Sequence, residues 1–198
     1  MKQQELPDNV PRRRSARRTL TLLALVCAAP VVASYVAYYW LRPEGRTNYG
    51  ELLQARPAPD VAGIRADGVP FHLSELQGRW ILLIVNGVGC DTACERGLYA
   101  TRQARTIQGR EQDRVVRVLL QPTGAPPLSA ELLAAHAGMI VVQADSRQWQ
   151  TLPGVVGLAA NIYLIDPRGN LVLRYPADPD IRGLAKDMER LLRASRIG

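Results

Sequence analysis

Two cysteines, Cys90 and Cys94, are the residues whose type and spacing most directly suggest chemistry. They follow an apolar run over 80–86, which predicts a strand buried on both faces of a sheet. Active sites of α/β proteins collect beyond the carboxyl ends of such strands. Two thiols in this position can form and exchange a disulfide, or bind a soft metal ion as thiolates.

The spacing also restricts where the two cysteines can lie. In a regular helix their Cβ atoms would be ~5–6 Å apart, whereas a disulfide requires ~3.5–4.5 Å. We therefore expect Cys90 in a loop and Cys94 in or near the first turn of a helix predicted over 91–108. Gly87 and Gly89 give that loop the backbone freedom it needs.

The surroundings of the pair bear on its reactivity. A helix N-terminus lowers the pKa of a thiol and so favours the reactive thiolate. Asp91 opposes this effect, and Arg96 is expected to offset Asp91 in part. The alternative is a disulfide that only stabilises the fold, but such a short loop removes little chain entropy. We therefore favour a redox or metal-binding role, with Cys90 as the attacking thiol and Cys94 as the resolving one.

Other catalytic arrangements are not evident in the sequence. Nucleotide-binding, zinc-protease and α/β-hydrolase motifs are absent, and neither histidine has an obvious Ser or Cys partner. We interpret His136 as a surface or helix-capping residue and His72 as a structural residue of a hairpin. We interpret Arg102, Arg105 and Arg110 as a solvent-exposed face of the helix after the cysteines.

Strands alternate with helices along the rest of the chain, which predicts a mainly parallel sheet covered by helices. The predicted strands are 80–86, 115–121 and 139–143, with antiparallel pairs over 61–73 and 161–175, and the predicted helices are 91–108, 129–137, 146–152 and 180–195. An apolar strand that ends in a cysteine-containing loop and a helix is the arrangement of the thioredoxin fold. We predict an α/β, thioredoxin-like domain: a central mixed sheet with helices on both faces and an N-terminal β-hairpin extension, preceded by one transmembrane helix.

An uncharged segment, residues 19–41, precedes this domain. As a helix of 23 residues it would be ~35 Å long, enough to cross a hydrocarbon core of ~30 Å. Six basic and two acidic residues precede it, so the positive-inside rule places the N-terminus in the cytoplasm. We predict an uncleaved anchor, in which Cys27 is a packing residue. The alternative is a cleaved signal peptide with a small-residue site at 31–33 or 35–37.

The sequence therefore predicts four segments. They are a basic cytoplasmic tail (1–18), a transmembrane helix (19–41), a linker (42–59) and a thioredoxin-like periplasmic domain (60–198). In a bacterium the anchor would lie in the inner membrane, as a single pass. Much of the net charge of +7 lies before the span, so it indicates the orientation of the chain in the membrane. Because no basic run is interleaved with aromatic residues, we expect no nucleic-acid partner.

Four features form one pattern over most of the chain. They are the anchor, the stretch 71–80 (FHLSELQGRW), the C-x-x-x-C spacing of Cys90 and Cys94, and the stretch 163–169 (YLIDPRG). This pattern resembles the SCO/SenC family of cytochrome oxidase assembly proteins, which are membrane-anchored and thioredoxin-like. The resemblance implies a role in oxidase assembly, with an oxidase subunit as protein client and copper as a candidate ligand.

The sequence departs from this family at its copper site. SCO proteins bind copper through the two cysteines and a histidine a few residues before the second stretch. Leu158 stands about where that histidine would be, Ala160 stands near the proline usual in thioredoxin-type reductases, and Asp91 and Glu95 replace prolines beside the SCO cysteines. We therefore expect thiol–disulfide exchange with a client. The alternatives are a Cu(I) carrier with both thiolates as metal ligands and a membrane-tethered scaffold without catalytic activity.

Overall fold

The computed structural model describes residues 12–40, 48–87, 89–155 and 161–195. The chain divides into two units, Met1–Arg46 and Thr47–Gly198. Most of the predicted basic tail lies outside the described residues, and so do Leu158 and Ala160.

The first unit contains one described helix, α1 (Arg12–Trp40), with Pro30 in its interior. Within it, Arg17–Tyr39 spans 23 residues with a mean hydropathy of 2.2, and is long and apolar enough to cross a membrane. Cys27 is exposed on this helix. The predicted span is thus found as a single helix.

The second unit is built on a mixed sheet of eight strands. In chain order these are β1 (Glu51–Pro57), β2 (Ala62–Arg65), β3 (Pro70–His72), β4 (Trp80–Val85), β5 (Val115–Pro122), β6 (Ile140–Ala144), β7 (Asn161–Ile165) and β8 (Asn170–Pro176). Across the sheet the order is β1-β8-β7-β4-β5-β6-β2-β3. Strands β4, β5 and β6 are parallel, and the other pairings are antiparallel. The predicted hairpin, β2–β3, extends the sheet through β6.

Three helices follow strands of this unit: α2 (Thr92–Ile107), α3 (Ala130–Ala135) and α4 (Ile181–Ala194). Their N-cap residues are Asp91, Ser129 and Asp180, and each side chain accepts a hydrogen bond from a backbone N–H of the first turn. The predicted helix over 146–152 is shorter, a 3₁₀ turn at Ser146–Trp149.

The central strand β4 is buried on both faces of the sheet. On one face Leu82 and Ile84 belong to a core shared with α2 and α4. On the other face Leu83 belongs to a second core, which includes Phe71 of β3 and Trp149 of a 3₁₀ turn. Burial on both sides explains the continuous apolar run of this strand.

The prediction of a linker over 42–59 is wrong for Glu51–Pro57. This segment is β1, the edge strand that pairs antiparallel with β8. Most of its side chains are exposed, so the segment lacks the apolar alternation that signals a strand. Pro57 is compatible with this position because an edge strand has unpaired N–H groups.

A buried carboxylate attaches the start of this unit to α4. Both oxygens of Asp187 accept hydrogen bonds from backbone N–H groups, at 3.1 Å from Tyr49 and 2.8 Å from Gly50. The hydroxyl of Tyr175 lies 3.4 Å from the same carboxylate. A buried carboxylate is tolerated when it is hydrogen-bonded in this way.

Two arginines interpreted as a solvent-exposed face make contacts instead. Arg102 donates to the backbone oxygen of Ala135, and Arg105 Nε donates to that of Val115 at 2.8 Å. Arg110 is exposed but lies in the 3₁₀ turn after α2.

His136 is buried, which corrects its interpretation as a surface residue, although it does occupy the C-cap of α3. Its Nδ1 lies 3.4 Å from a guanidinium nitrogen of Arg117, which is buried inside β5. Arg117 also donates to the backbone oxygens of His136 and Ala137 at 3.4 Å. Burial, followed by the charges of Arg117 and Arg102, lowers the pKa of His136 below its ordinary value.

We expect Asp187→Asn to lower the free energy of unfolding by about 1–3 kcal/mol, because a buried backbone N–H loses its acceptor. Urea denaturation of the full chain in detergent measures this change. The matched control is Asp113→Asn, since that side chain is 88% exposed and forms only a surface ion pair. Equal effects of the two substitutions would contradict the structural role of Asp187.

We also expect acid to destabilise the fold through His136. Because its pKa is lower in the folded chain than in the unfolded chain, its contribution to stability is complete above the unfolded pKa. That contribution is lost as the pH falls through the folded pKa. The urea midpoint should therefore fall less between about pH 7 and about pH 5 in His136→Asn than in the wild type. A flat wild-type profile, or an equal fall of the midpoint in the wild type and in His136→Asn, would refute the expectation.

Candidate functional site

Cys90 and Cys94 lie where the sequence places them, beyond the carboxyl end of β4. Cys90 is in the loop after the strand, and Cys94 is in the first turn of α2. The two form a disulfide, with Cα atoms 5.2 Å apart. The geometric restriction deduced from the spacing is therefore met.

The two sulfurs differ in accessibility. Cys94 is 2% exposed and belongs to the core between the sheet and the helices. Cys90 is only partly buried and packs against the edge of the same core. An incoming thiolate or disulfide can therefore reach Cys90 more readily than Cys94.

Asn86 positions the cysteine loop. It is buried, and its N–H donates to the backbone oxygen of Leu120 at 3.0 Å, which continues the pairing of β4 with β5 by one residue. Its side-chain amide donates to the backbone oxygen of Gly89 at 2.6 Å. Gly89 has a φ of +80°, which explains the glycine. The strand predicted over 80–86 includes Asn86 but not this role, although a polar residue that ends an apolar run was the available signal.

The charges around the pair differ from expectation in one respect. Asp91 caps α2 by accepting a hydrogen bond from the Cys94 N–H at 2.9 Å. Arg96, expected to offset Asp91, instead forms an ion pair with Asp178 at 3.0 Å. The positive end of the helix dipole favours a thiolate at the cysteines. The negative charge of Asp91 opposes this effect, and Arg96 is engaged with Asp178 instead.

The histidines do not complete a metal site with the cysteines among the described residues. His72 lies 3.7 Å from the carboxylate of Asp60, and His136 faces Arg117. No group of three or more His, Cys, Asp or Glu side chains that could hold a metal ion occurs in the described part of the chain. Once reduced, Cys90 and Cys94 would supply two thiolates, a donor set that suits Cu(I).

The loop before β7 is described only in part. Leu158 and Ala160, which the sequence analysis placed at the family's ligand and proline positions, lie outside the described residues. The described end of this loop is held by Tyr163, whose hydroxyl donates to the backbone oxygen of Pro153 at 2.8 Å. Burial raises the pKa of Tyr163 to about 12, so this hydroxyl stays protonated and remains a donor.

Known proteins share this fold. ScoI of Arabidopsis thaliana, solved with copper bound, matches with a TM-score of 0.58 and 19% identity, over 71% of this chain and 100% of that one. The thioredoxin domain of a thiol-disulfide oxidoreductase of Bacteroides vulgatus matches with a TM-score of 0.55 and 16% identity, over 72% and 99%. The predicted thioredoxin-like fold and its likeness to the Sco proteins are confirmed.

Two sequence comparisons agree with the structural ones. A protein of Stutzerimonas stutzeri that is named for copper binding is 28% identical over 186 residues, which are 88% of this chain and 89% of that protein. The family model described as the transmembrane-like, thioredoxin-like, C-terminal domain matches residues 80–195, which is more than half of the chain. This chain therefore belongs to the family of transmembrane-like, thioredoxin-like C-terminal domains.

Proposed function

We propose that this protein is a membrane-anchored, Sco-like thiol–disulfide exchange protein that acts in cytochrome oxidase assembly through Cys90 and Cys94. The observation that carries the proposal is the disulfide between a partly exposed cysteine and a buried one, at the carboxyl end of the central strand. Exchange requires one sulfur that a partner can reach and a second sulfur within bonding distance of the first.

The exchange proceeds in two steps when the chain reduces a client. The Cys90 thiolate attacks one sulfur of a client disulfide, so a mixed disulfide forms and a client thiolate leaves. The Cys94 thiolate then attacks the Cys90 sulfur, which closes the Cys90–Cys94 bond and releases the second client thiolate. Two electrons pass to the client, and each released thiolate takes a proton from solvent. The same steps in reverse oxidise a client dithiol.

A role of this disulfide in stability alone is less well supported than a role in exchange. The bond joins residues only four positions apart. Closing so short a loop restricts the unfolded chain weakly. Cys94 is also already held by the Asp91 cap and by the core around Leu98. The disulfide therefore adds little that the packing does not supply, which favours chemistry as its purpose.

The proposed location follows from the N-terminal unit. Helix α1 would anchor the chain in the bacterial inner membrane, with the basic tail in the cytoplasm and Thr47–Gly198 in the periplasm. The periplasm is an oxidising compartment in which disulfides persist and exchange. The proposed client is a protein, and the resemblance to the SCO family points to a cytochrome oxidase subunit.

We expect Cys94→Ser to trap a mixed disulfide between Cys90 and the client, because the resolving thiol is missing. The measurement is purification of the full chain from membranes after thiol blocking, followed by non-reducing electrophoresis and mass spectrometry. Both trapping variants also carry Cys27→Ser, so that Cys27 cannot form the trapped disulfide. The matched control, Cys90→Ser, should trap much less because Cys94 is buried.

Three results would refute the exchange role. They are the absence of a trapped client, equal trapping by the two single variants, and a reduction potential of the pair below about −300 mV, which is typical of structural disulfides. If the Cys90→Ser, Cys94→Ser double variant keeps full function in cells, the protein is a scaffold.

Copper binding is the second candidate function. It is favoured by the Stutzerimonas stutzeri relative, which is named for copper binding and matches most of the chain. Cys90 and Cys94 would hold Cu(I) as two thiolates, and a client would supply any further ligand. In this role the bound ion is cargo that passes to the client.

Anaerobic titration of the reduced chain with Cu(I) and a competing chelator tests this candidate. Under the copper hypothesis, one Cu(I) binds per chain, and binding is lost when the disulfide is formed or both cysteines are replaced by serine. Weak binding that persists in the double serine variant would exclude a carrier role.

A further inference from the structure

A groove with a volume of about 600 Å³ lies between strand β2 and the loop that follows β5. It is on the face of the sheet that carries α2 and α4, because its wall residue Val141 belongs to that core. The residues that form its walls include Ile64, Gln121, Leu128, Leu133, Val141 and Gln143. Ile64 and Leu133 are exposed, so the groove is open to solvent along its rim.

A buried amide without a partner lies in the wall of this groove. Gln121 is 1% exposed, and its Nε2 has no hydrogen-bond partner within the described residues. The neighbouring amide of Gln143, by contrast, donates to the backbone oxygen of Ala125 at 3.0 Å. A buried donor without an acceptor is destabilising, so an incoming acceptor at Gln121 would be favoured.

The groove presents no unpaired charge in its described walls. A terminal guanidinium nitrogen of Arg65 lies 3.5 Å from Glu75, and the group lies over the ring of Phe71, while the buried Nε has no hydrogen-bond partner within the described residues. The carboxylate of Asp145 forms an ion pair with Arg147 at 2.5 Å. Apolar walls, one free amide donor and paired charges suit an uncharged ligand that has a carbonyl group and an aliphatic part.

The groove is next to the cysteine loop. The loop after β5 passes close to Gly89, since a Cβ added there would lie 4.0 Å from Cγ of Pro126. Pro127 and Leu128, which follow directly, line the groove. Leu128 and Cys90 pack against the same core. A polypeptide that reacts at Cys90 could therefore extend into the groove.

We propose that this groove binds an uncharged, extended segment of the client polypeptide beside its reactive cysteine. Gln121 Nε2 donates to a backbone carbonyl of the segment, and an aliphatic side chain packs against Ile64 and Leu128. The proposal deepens the exchange function proposed above and rests on it. It defines the client by chemistry: aliphatic and uncharged residues flank its cysteine.

Binding of two fluorescent peptides to the full chain in nanodiscs tests the groove without thiol chemistry. One peptide has Leu and Val on both sides of a serine that replaces the cysteine, and the other has Gly and Ser. We expect the aliphatic peptide to bind about tenfold more tightly, as measured by fluorescence anisotropy. Gln121→Leu should weaken its binding about fivefold, the equivalent of one hydrogen bond. Ile64→Trp should weaken it about tenfold by filling the groove.

Two controls separate binding from folding. Val69→Trp is matched to Ile64→Trp, because both side chains are exposed on the same hairpin and Val69 is not part of the groove wall. It should leave binding unchanged. Gln121→Leu should raise the urea midpoint, because it removes a buried donor that lacks an acceptor. A lower midpoint would mean that Gln121 serves the fold, which would overturn the proposal.

The proposal would also be overturned if the two peptides bind equally, or if Ile64→Trp and Val69→Trp weaken peptide binding equally. The exchange function is tested separately by reduction of the Cys90–Cys94 disulfide with glutathione, which two glutathione thiols accomplish while forming glutathione disulfide. Groove variants should leave that rate unchanged. If glutathione does not reduce the disulfide while the aliphatic peptide still binds selectively, the exchange function is refuted and the groove proposal is supported.

Discussion

The placement of Cys90 depends on how strand β4 ends. The strand is apolar through Val85 because both of its faces are covered, and the chain then has to turn out of the core. Asn86 makes this transition by keeping its backbone in the pairing with β5 and by holding the backbone oxygen of Gly89 with its side chain. These two bonds turn the chain within a few residues, so Cys90 emerges beside the start of α2. The rest of the site follows from this turn.

Local patterns were sufficient to predict most of the elements that position the site. The apolar run of β4 and the amphipathic pattern of α4 each reflect interactions within a short stretch of chain. The loop position of Cys90 followed from the same kind of reasoning, because the distance between two nearby thiols is set by local geometry. The resemblance to the Sco proteins added the family context of the fold.

The features that escaped prediction depend on contacts between distant parts of the chain. Strand β1 has no buried side chain and is defined by its pairing with β8, more than a hundred residues away. His136 is buried because Arg117, on a neighbouring strand, reaches the end of α3. The groove exists because the hairpin β2–β3 pairs with β6, a register that no local pattern encodes. The two segments before β4 thus occupy opposite edges of the sheet and cover strands that would otherwise be open to association.

The separate support of Cys94 limits how far a change of oxidation state can spread. Its backbone is held by Asp91 and its side chain is enclosed by the core, independently of the bond to Cys90. Reduction is therefore expected to release Cys90 while the helix and the sheet keep their positions. A partner would then recognise the oxidation state from the few atoms around Cys90. The oxidised and reduced forms would therefore differ only at the surface around Cys90. Both forms would present the same helix and sheet to a partner that binds beside it.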